Sequence, residues 1–248
     1  MGVQGAGITI VLAGLAMAAT PAAAGTRAGG RQDPATRALA FFQADSADNG
    51  FQIVRRLRPA PLSAQARALV VAALPREGEL SPTAAEEAKI AALAPVFDLH
   101  ERKGLVVVKV IDVGHAFVGL HAKTVLLLSR DALSLLAGDE LQALAAHELG
   151  HESFWNEYAE ARAAGDDARL QELELVCDGV AVATLRRLGR GPENLVDAVT
   201  KMTRYNERLH ATGTAGRYVS LKERRRYIQD VAAILEGRGQ ALLSRFEP

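Results

Sequence analysis

Two histidines four residues apart, with a glutamate between them, constrain this chain more than any other feature. Residues 147–151 read His147-Glu148-Leu149-Gly150-His151, inside a stretch whose spacing predicts helix. Helical side chains four apart share a face, so both imidazoles can reach one zinc ion. Glu148 stands beside them, placed to take a proton from a metal-held water. The pattern points to metal-assisted hydrolysis, with a peptide bond as the leading target.

Two histidines are half a site. Zinc that does chemistry takes three protein ligands and leaves one position open. Residues 173–185 read LELVCDGVAVATL, an almost wholly apolar run that predicts a buried helix, yet it carries Glu174 and Asp178. Burying an unpaired carboxylate is costly, so both need partners. They lie four apart and share a face. A zinc ion for Glu174 and a ligand imidazole N–H for Asp178 would satisfy both, the second contact fixing the histidine's tautomer. Glu172 is the rival ligand. It sits about 200° around the helix from Glu174, near the helix start, where solvent and the dipole favour a carboxylate. The bland alternative for the pair is a buried salt bridge to Arg186, Arg187 or an arginine elsewhere.

The remaining composition narrows the setting. A chain of 248 residues, 49% hydrophobic and 23% charged, can bury a sizeable core. Lys plus Arg equals Asp plus Glu at 29 each, so no basic footprint argues for nucleic acid. Residues 8–19 form an apolar run broken only by Thr9 and Gly14. Pro21 and then Ala22-Ala23-Ala24 follow, a small-x-small cleavage pattern. Residues 1–24 therefore predict a signal peptide and an exported, periplasmic or secreted protein, although residues 1–7 lack Lys and Arg. An uncleaved anchor is the alternative. Residues 25–33 predict a flexible leader and 34–248 a single metallopeptidase domain. Cys177 is the one cysteine, which excludes an intramolecular disulfide.

Periodicity predicts a mainly α protein with a small β-sheet, of α+β class. Helices are expected over residues 34–44, from a Ser63 cap through Leu74, and from a Ser81 cap, with Pro82 in first position, to about Leu93. Residues 51–58 are ambiguous. Strands are expected over 105–113 and 124–128, with a shorter one over 115–120. Everything from Asp131 onward reads as helix. The motif helix is expected to start at Asp139, with Gln142 completing a capping box, and a second long helix to span 168–188.

Set in order, these features resemble the HtpX-like and type I CAAX prenyl endopeptidase family of glutamate-zincins. The family's Asn-Ala-Phe strand motif resembles Gly114-His115-Ala116-Phe117. Its Asp-Glu-Leu…His-Glu-Leu-Gly-His helix is similar to Asp139-Glu140-Leu141 and Ala145 to His151, and its Ser-x-x-Glu-Arg segment to Ser220-Leu221-Lys222-Glu223-Arg224. The likeness covers about residues 104–230. It implies a compact zincin-like fold, one Zn2+ per chain and endopeptidase activity on polypeptide. It implies His147, His151 and Glu174 as ligands, Asp178 in support, and Glu148 as general base. A sheet edge at Ala116 and Phe117 would hold extended substrate, and Arg224 is the family-supported choice for stabilising the oxyanion, ahead of His210, Tyr205 and Tyr218. The chain departs at His115 for Asn, at Tyr218-Val219 for His-Pro, and at Cys177-Asp178-Gly179 for Ala-Asp-Arg. It lacks the family's membrane-spanning helices, and residues 152–173 make a short connection.

Blander roles are expected elsewhere: polar sheet-edge positions for His115 and His121, a solvated turn for His100, core packing for Trp155 and Tyr158, a small buried filler for Cys177. Three function classes follow: an active zinc endopeptidase, a peptide-binding quality-control module with little turnover, and a zinc hydrolase of a non-peptide amide such as a cell-wall link. An intact Glu148 counts against the binder.

Overall fold

A computed structural model describes residues 13–14, 33–43, 51–75, 78–209 and 219–237. The proposed signal peptide beyond Ala13–Gly14, nearly all of the leader, and His210 and Tyr218 lie outside the described residues. In chain order the elements are β1 (Ala13–Gly14), α1 (Pro34–Gln43), α2 (Phe51–Leu57), α3 (Ala64–Ala72), β2 (Glu79–Leu80), α4 (Ala84–Ala91), α5 (Ala94–Leu99), β3 (Val107–Ile111), β4 (Val118–His121), β5 (Val125–Ser129), α6 (Arg130–Leu135), α7 (Gly138–Ser153), α8 (Trp155–Ala164), α9 (Asp167–Arg187), α10 (Glu193–Arg208) and α11 (Leu221–Leu235). The fold is the expected mainly helical α+β type.

The sheet runs in the order β1-β4-β5-β3-β2. β3 and β5 pair in parallel, and the other neighbours are antiparallel. β3 and β4 are shorter than periodicity predicts and β5 is shifted by one residue, for local reasons. Leu105 and Val106 donate their N–H groups to the Arg102 carbonyl in a turn, which delays β3. Ala122 and Lys123 take positive φ, 46° and 58°, as a tight hairpin between right-twisted strands requires. Thr124 closes that turn onto His121, so β5 starts one residue late.

Two helix starts differ from expectation. Thr83, not Ser81, caps α4: its hydroxyl accepts the Glu86 N–H at 3.3 Å, and the Glu86 carboxylate takes the Thr83 N–H at 2.6 Å. This reciprocal pair satisfies two end groups at once, and Pro82 stays outside the helix. The same run then breaks at Leu93, where α5 follows. In α7 the Glu140 carboxylate takes the Ala137 N–H at 2.8 Å. Asp139 instead pairs with Arg190 at 3.0 Å, and the Gln142 amide donates to the Ala92 carbonyl at 2.6 Å. The expected Asp139–Gln142 box does not form.

The main apolar core gathers α1, α5, α7, α9, α10, α11 and one face of the sheet; a small second cluster, Phe117, Val125 and Leu127, lies under α3. α9 is the central post. α7 packs along one side, while α1 and α11 cover another. Gly179 explains itself here: a Cβ on it would stand 2.2 Å from the Phe42 ring of α1, so the aromatic takes the room that a side chain would need. Among the described residues no helix is long and apolar enough to cross a membrane.

Candidate metal centre

The centre is built where α7 lies against α9, under β4. His147, Glu148 and His151 are 0%, 1% and 2% exposed, and Glu174 is 8% exposed. Helical spacing aligns the imidazoles on the α7 face turned to α9. Their Nε2 atoms are 3.2 Å apart. His147 Nε2 stands 3.5 Å from one Glu174 oxygen and His151 Nε2 3.5 Å from the other. One ligand atom from each of the three residues falls within 4.8 Å of the rest. Glu172 points elsewhere: it bridges Arg37 at 2.7 Å and Arg169 at 2.5 Å.

Each imidazole has its other nitrogen occupied. His147 Nδ1 meets Asp178 Oδ1 at 2.8 Å. Asp178 in turn receives Arg224 on both oxygens, at 2.5 and 2.6 Å. Asp178 thus takes the expected imidazole contact and also the buried salt bridge weighed as its rival. His151 Nδ1 lies 3.5 Å from the Cys177 sulfur, and the Tyr158 ring packs edge-on against His151 at 5.2 Å.

The charges are coupled. Burial lowers the His147 pKa, but the Asp178 and Glu174 carboxylates outweigh it and raise the net value to about 9. Burial raises Glu148 to about 8 and lowers His151 to about 4. For Glu174, burial pulls upward, yet His151 and His147 bring it down to about 2. The arrangement is a proton-laden pocket with a carboxylate held ionised. Two nitrogens and an anionic oxygen converge, with both outer nitrogens engaged, and this donor set suits zinc with one position left open. Metal and proton compete for the same atoms, so binding must release a proton.

β4 closes the pocket. The Leu120 backbone N–H donates to Glu148 Oε2 at 2.9 Å. The backbone N–H of Phe117 goes to the Ser129 hydroxyl and its carbonyl accepts from the Ser129 N–H, each at 2.8 Å. By strand alternation, the backbone groups of Ala116, Val118 and Leu120 turn away from β5, toward the site. Ala116 is already engaged. Its N–H donates to the Asn206 side-chain oxygen and its carbonyl accepts from the Asn206 amide, both at 2.9 Å. The Phe117 ring is buried in the cluster under α3. Ala116 and Phe117 thus hold the strand, and β4, paired to β1 at Gly119 and Leu120, runs beside Glu148.

Other expected residues sit in long-range contacts. Arg224 gives its guanidinium to Asp178, behind His147. Tyr205 interacts with Asp131 and Arg208. His100 is buried, not solvated: its Nε2 meets the Thr184 hydroxyl at 2.9 Å, and burial, with Arg102 nearby, lowers it to about 3. His115 bonds the Val113 carbonyl at 2.9 Å, the bland role foreseen. Trp155 packs on the core beneath Lys123, 5.8 Å from the ring. Asn206 and the buried Arg102–Glu152 pair, 2.7 Å, went unread in the sequence. A buried asparagine on the apolar face of α10 was the available signal.

No curated protein matches the chain. The model of Peptidase family M48 does match, over residues 81–157. That span holds β3 to β5, α7 and the His147-Glu148-Leu149-Gly150-His151 motif, and stops short of Glu174, Asp178 and Arg224. Over residues 81–157, on a mainly helical frame with a small sheet, the chain is thus similar to Peptidase family M48.

Proposed function

We propose that the chain is a zinc endopeptidase acting on extended polypeptide, with residues 34–248 working as one unit. The observation that carries this reading is the convergence of His147 Nε2, His151 Nε2 and the Glu174 carboxylate within 4.8 Å, beside an ionisable Glu148. Bound through these three residues, zinc would polarise the scissile carbonyl and make water acidic enough to attack near neutral pH. Glu148 takes the proton of the attacking water and hands it to the leaving amine. The Leu120 N–H fixes one Glu148 oxygen and leaves the other for that transfer. Asp178 holds the His147 tautomer, and Arg224 keeps Asp178 ionised. The backbone groups of Val118, next to the pairing of β1 with β4 at Gly119 and Leu120, align an extended chain along β4. Residues 1–24 serve as an export leader in this reading.

The test is a pair of measurements. Wild-type protein should hold one zinc per chain and cleave a casein-like substrate. Glu148→Gln should keep the metal and lose about 10²–10⁴ in kcat. Equal cleavage by the variant would sink the mechanism, and zinc without cleavage by wild type would favour a peptide-binding module. Glu174→Ala should deplete zinc, whereas Glu172→Ala should not.

A further inference from the structure

The two ligand histidines are steadied from behind by different chemistry. His147 has a carboxylate, Asp178. His151 has sulfur: Cys177 Sγ lies 3.5 Å from Nδ1, within hydrogen-bond reach for that large, soft acceptor. The contact is built into the helix packing. α7 and α9 approach closely at Gly150, where a Cβ would stand 3.1, 3.2 and 3.3 Å from the Cα, Cβ and Sγ of Cys177. Any side chain at 150 would push the sulfur away from the imidazole next door. Cys177 is fully buried. His151 turns Nε2 toward Glu174 and His147. A neutral imidazole with its lone pair there carries its proton on Nδ1, and the sulfur is the partner the structure gives that proton.

We propose that Cys177 is a positioning residue for His151: its sulfur accepts the Nδ1 proton and fixes the ring in the tautomer and orientation that present Nε2 to a metal. The inference rests on the zinc reading above. It assigns the cysteine a role where the resembling family has alanine, and it replaces the passive filler expected from sequence.

The test reads metal binding rather than turnover. Zinc dissociation constants are measured by chelator competition for wild type, Cys177→Ala, Cys177→Ser and Val182→Ala, and each is reconstituted with cobalt(II) for its visible spectrum. Losing a partner behind a ligand histidine costs about 10-fold or more in metal affinity. Cys177→Ala should show that loss and displaced cobalt bands. Cys177→Ser, which keeps an acceptor, should bind close to wild type. Val182→Ala removes buried methyls from the same helix away from His151 and should bind as wild type does. Wild-type affinity in Cys177→Ala overturns the proposal, as does an equal loss in Val182→Ala, which would make the effect one of packing. Should the alanine variant fail to fold, Cys177→Val, which fills the space without an acceptor, decides: weakened zinc and displaced cobalt bands support the proposal, and wild-type affinity and bands overturn it. A wild-type chain that binds no zinc overturns the metal reading, and this inference with it; zinc binding indifferent to Cys177 overturns the inference alone.

Discussion

Two buried arginine–carboxylate pairs flank the motif helix, and they differ in what depends on them. Asp178 and Arg224 lie behind His147, with Asp178 shared between the guanidinium and the imidazole. Glu152 and Arg102 lie at the other end of α7, where Arg102 bonds Glu152 at 2.7 Å and the Pro59 carbonyl at 2.7 Å. The first pair touches an imidazole of the candidate metal centre. The second clamps the segment before α3 onto the end of α7 and governs folding. The same two functional groups, both buried, serve different ends because among the described residues Asp178 has a second partner, the imidazole, and Glu152 does not.

The comparison can be broken by variants on either side. Arg102→Met leaves Glu152 buried without its cation, and breaking such a pair costs about 3–5 kcal/mol. A urea titration should register that loss while zinc affinity stays at the wild-type value. Adding Glu152→Leu should recover most of the stability, because an apolar replacement of a whole buried pair is often neutral. A zinc defect in Arg102→Met would erase the distinction. Asp178→Asn should act in the opposite way, weakening zinc about 10–100-fold, or about 1.4–2.7 kcal/mol, as read by chelator competition.

The smallest effect is a pH dependence on the Arg102 side. His100 has a folded-state pKa of about 3 against 6.5 unfolded. Its neutral form is the one the fold accepts, so its contribution is complete above pH 6.5 and is lost as pH falls toward about 3. At pH 5.5 the loss amounts to about 1.4 kcal/mol relative to neutral pH. The difference in unfolding free energy between wild type and His100→Gln, from urea titration, should shift with pH by that much. A constant difference would show that His100 is not buried neutral.

What the sequence made legible follows from the range of each interaction. The motif, Glu174 and Asp178 could be read because helical phase and an apolar neighbourhood mark them locally, and phase alone separated Glu172 from Glu174. The α+β class came from the same local texture. The partners did not: Arg224 meets Asp178 from 46 residues away, Asn206 reaches Ala116 across 90, and His100 finds Thr184 across 84. Periodicity sees a charged turn at residues 100–103 and cannot see that α9 covers it. The capping errors have a different cause. Ser81, Pro82 and Thr83 all carry start signals, and the Glu three residues beyond Thr83 was the discriminating one.

The Asp178–Arg224 bond also sets an order of events. The histidines, Glu148, Glu174 and Asp178 all emerge before α11 does. Until Arg224 arrives, the growing chain holds a cluster of carboxylates without its balancing guanidinium, and the imidazole support is unfinished. The candidate metal centre is thus completed by the last element of the described fold, and a chain without α11 holds Asp178 without the Arg224 guanidinium that balances it.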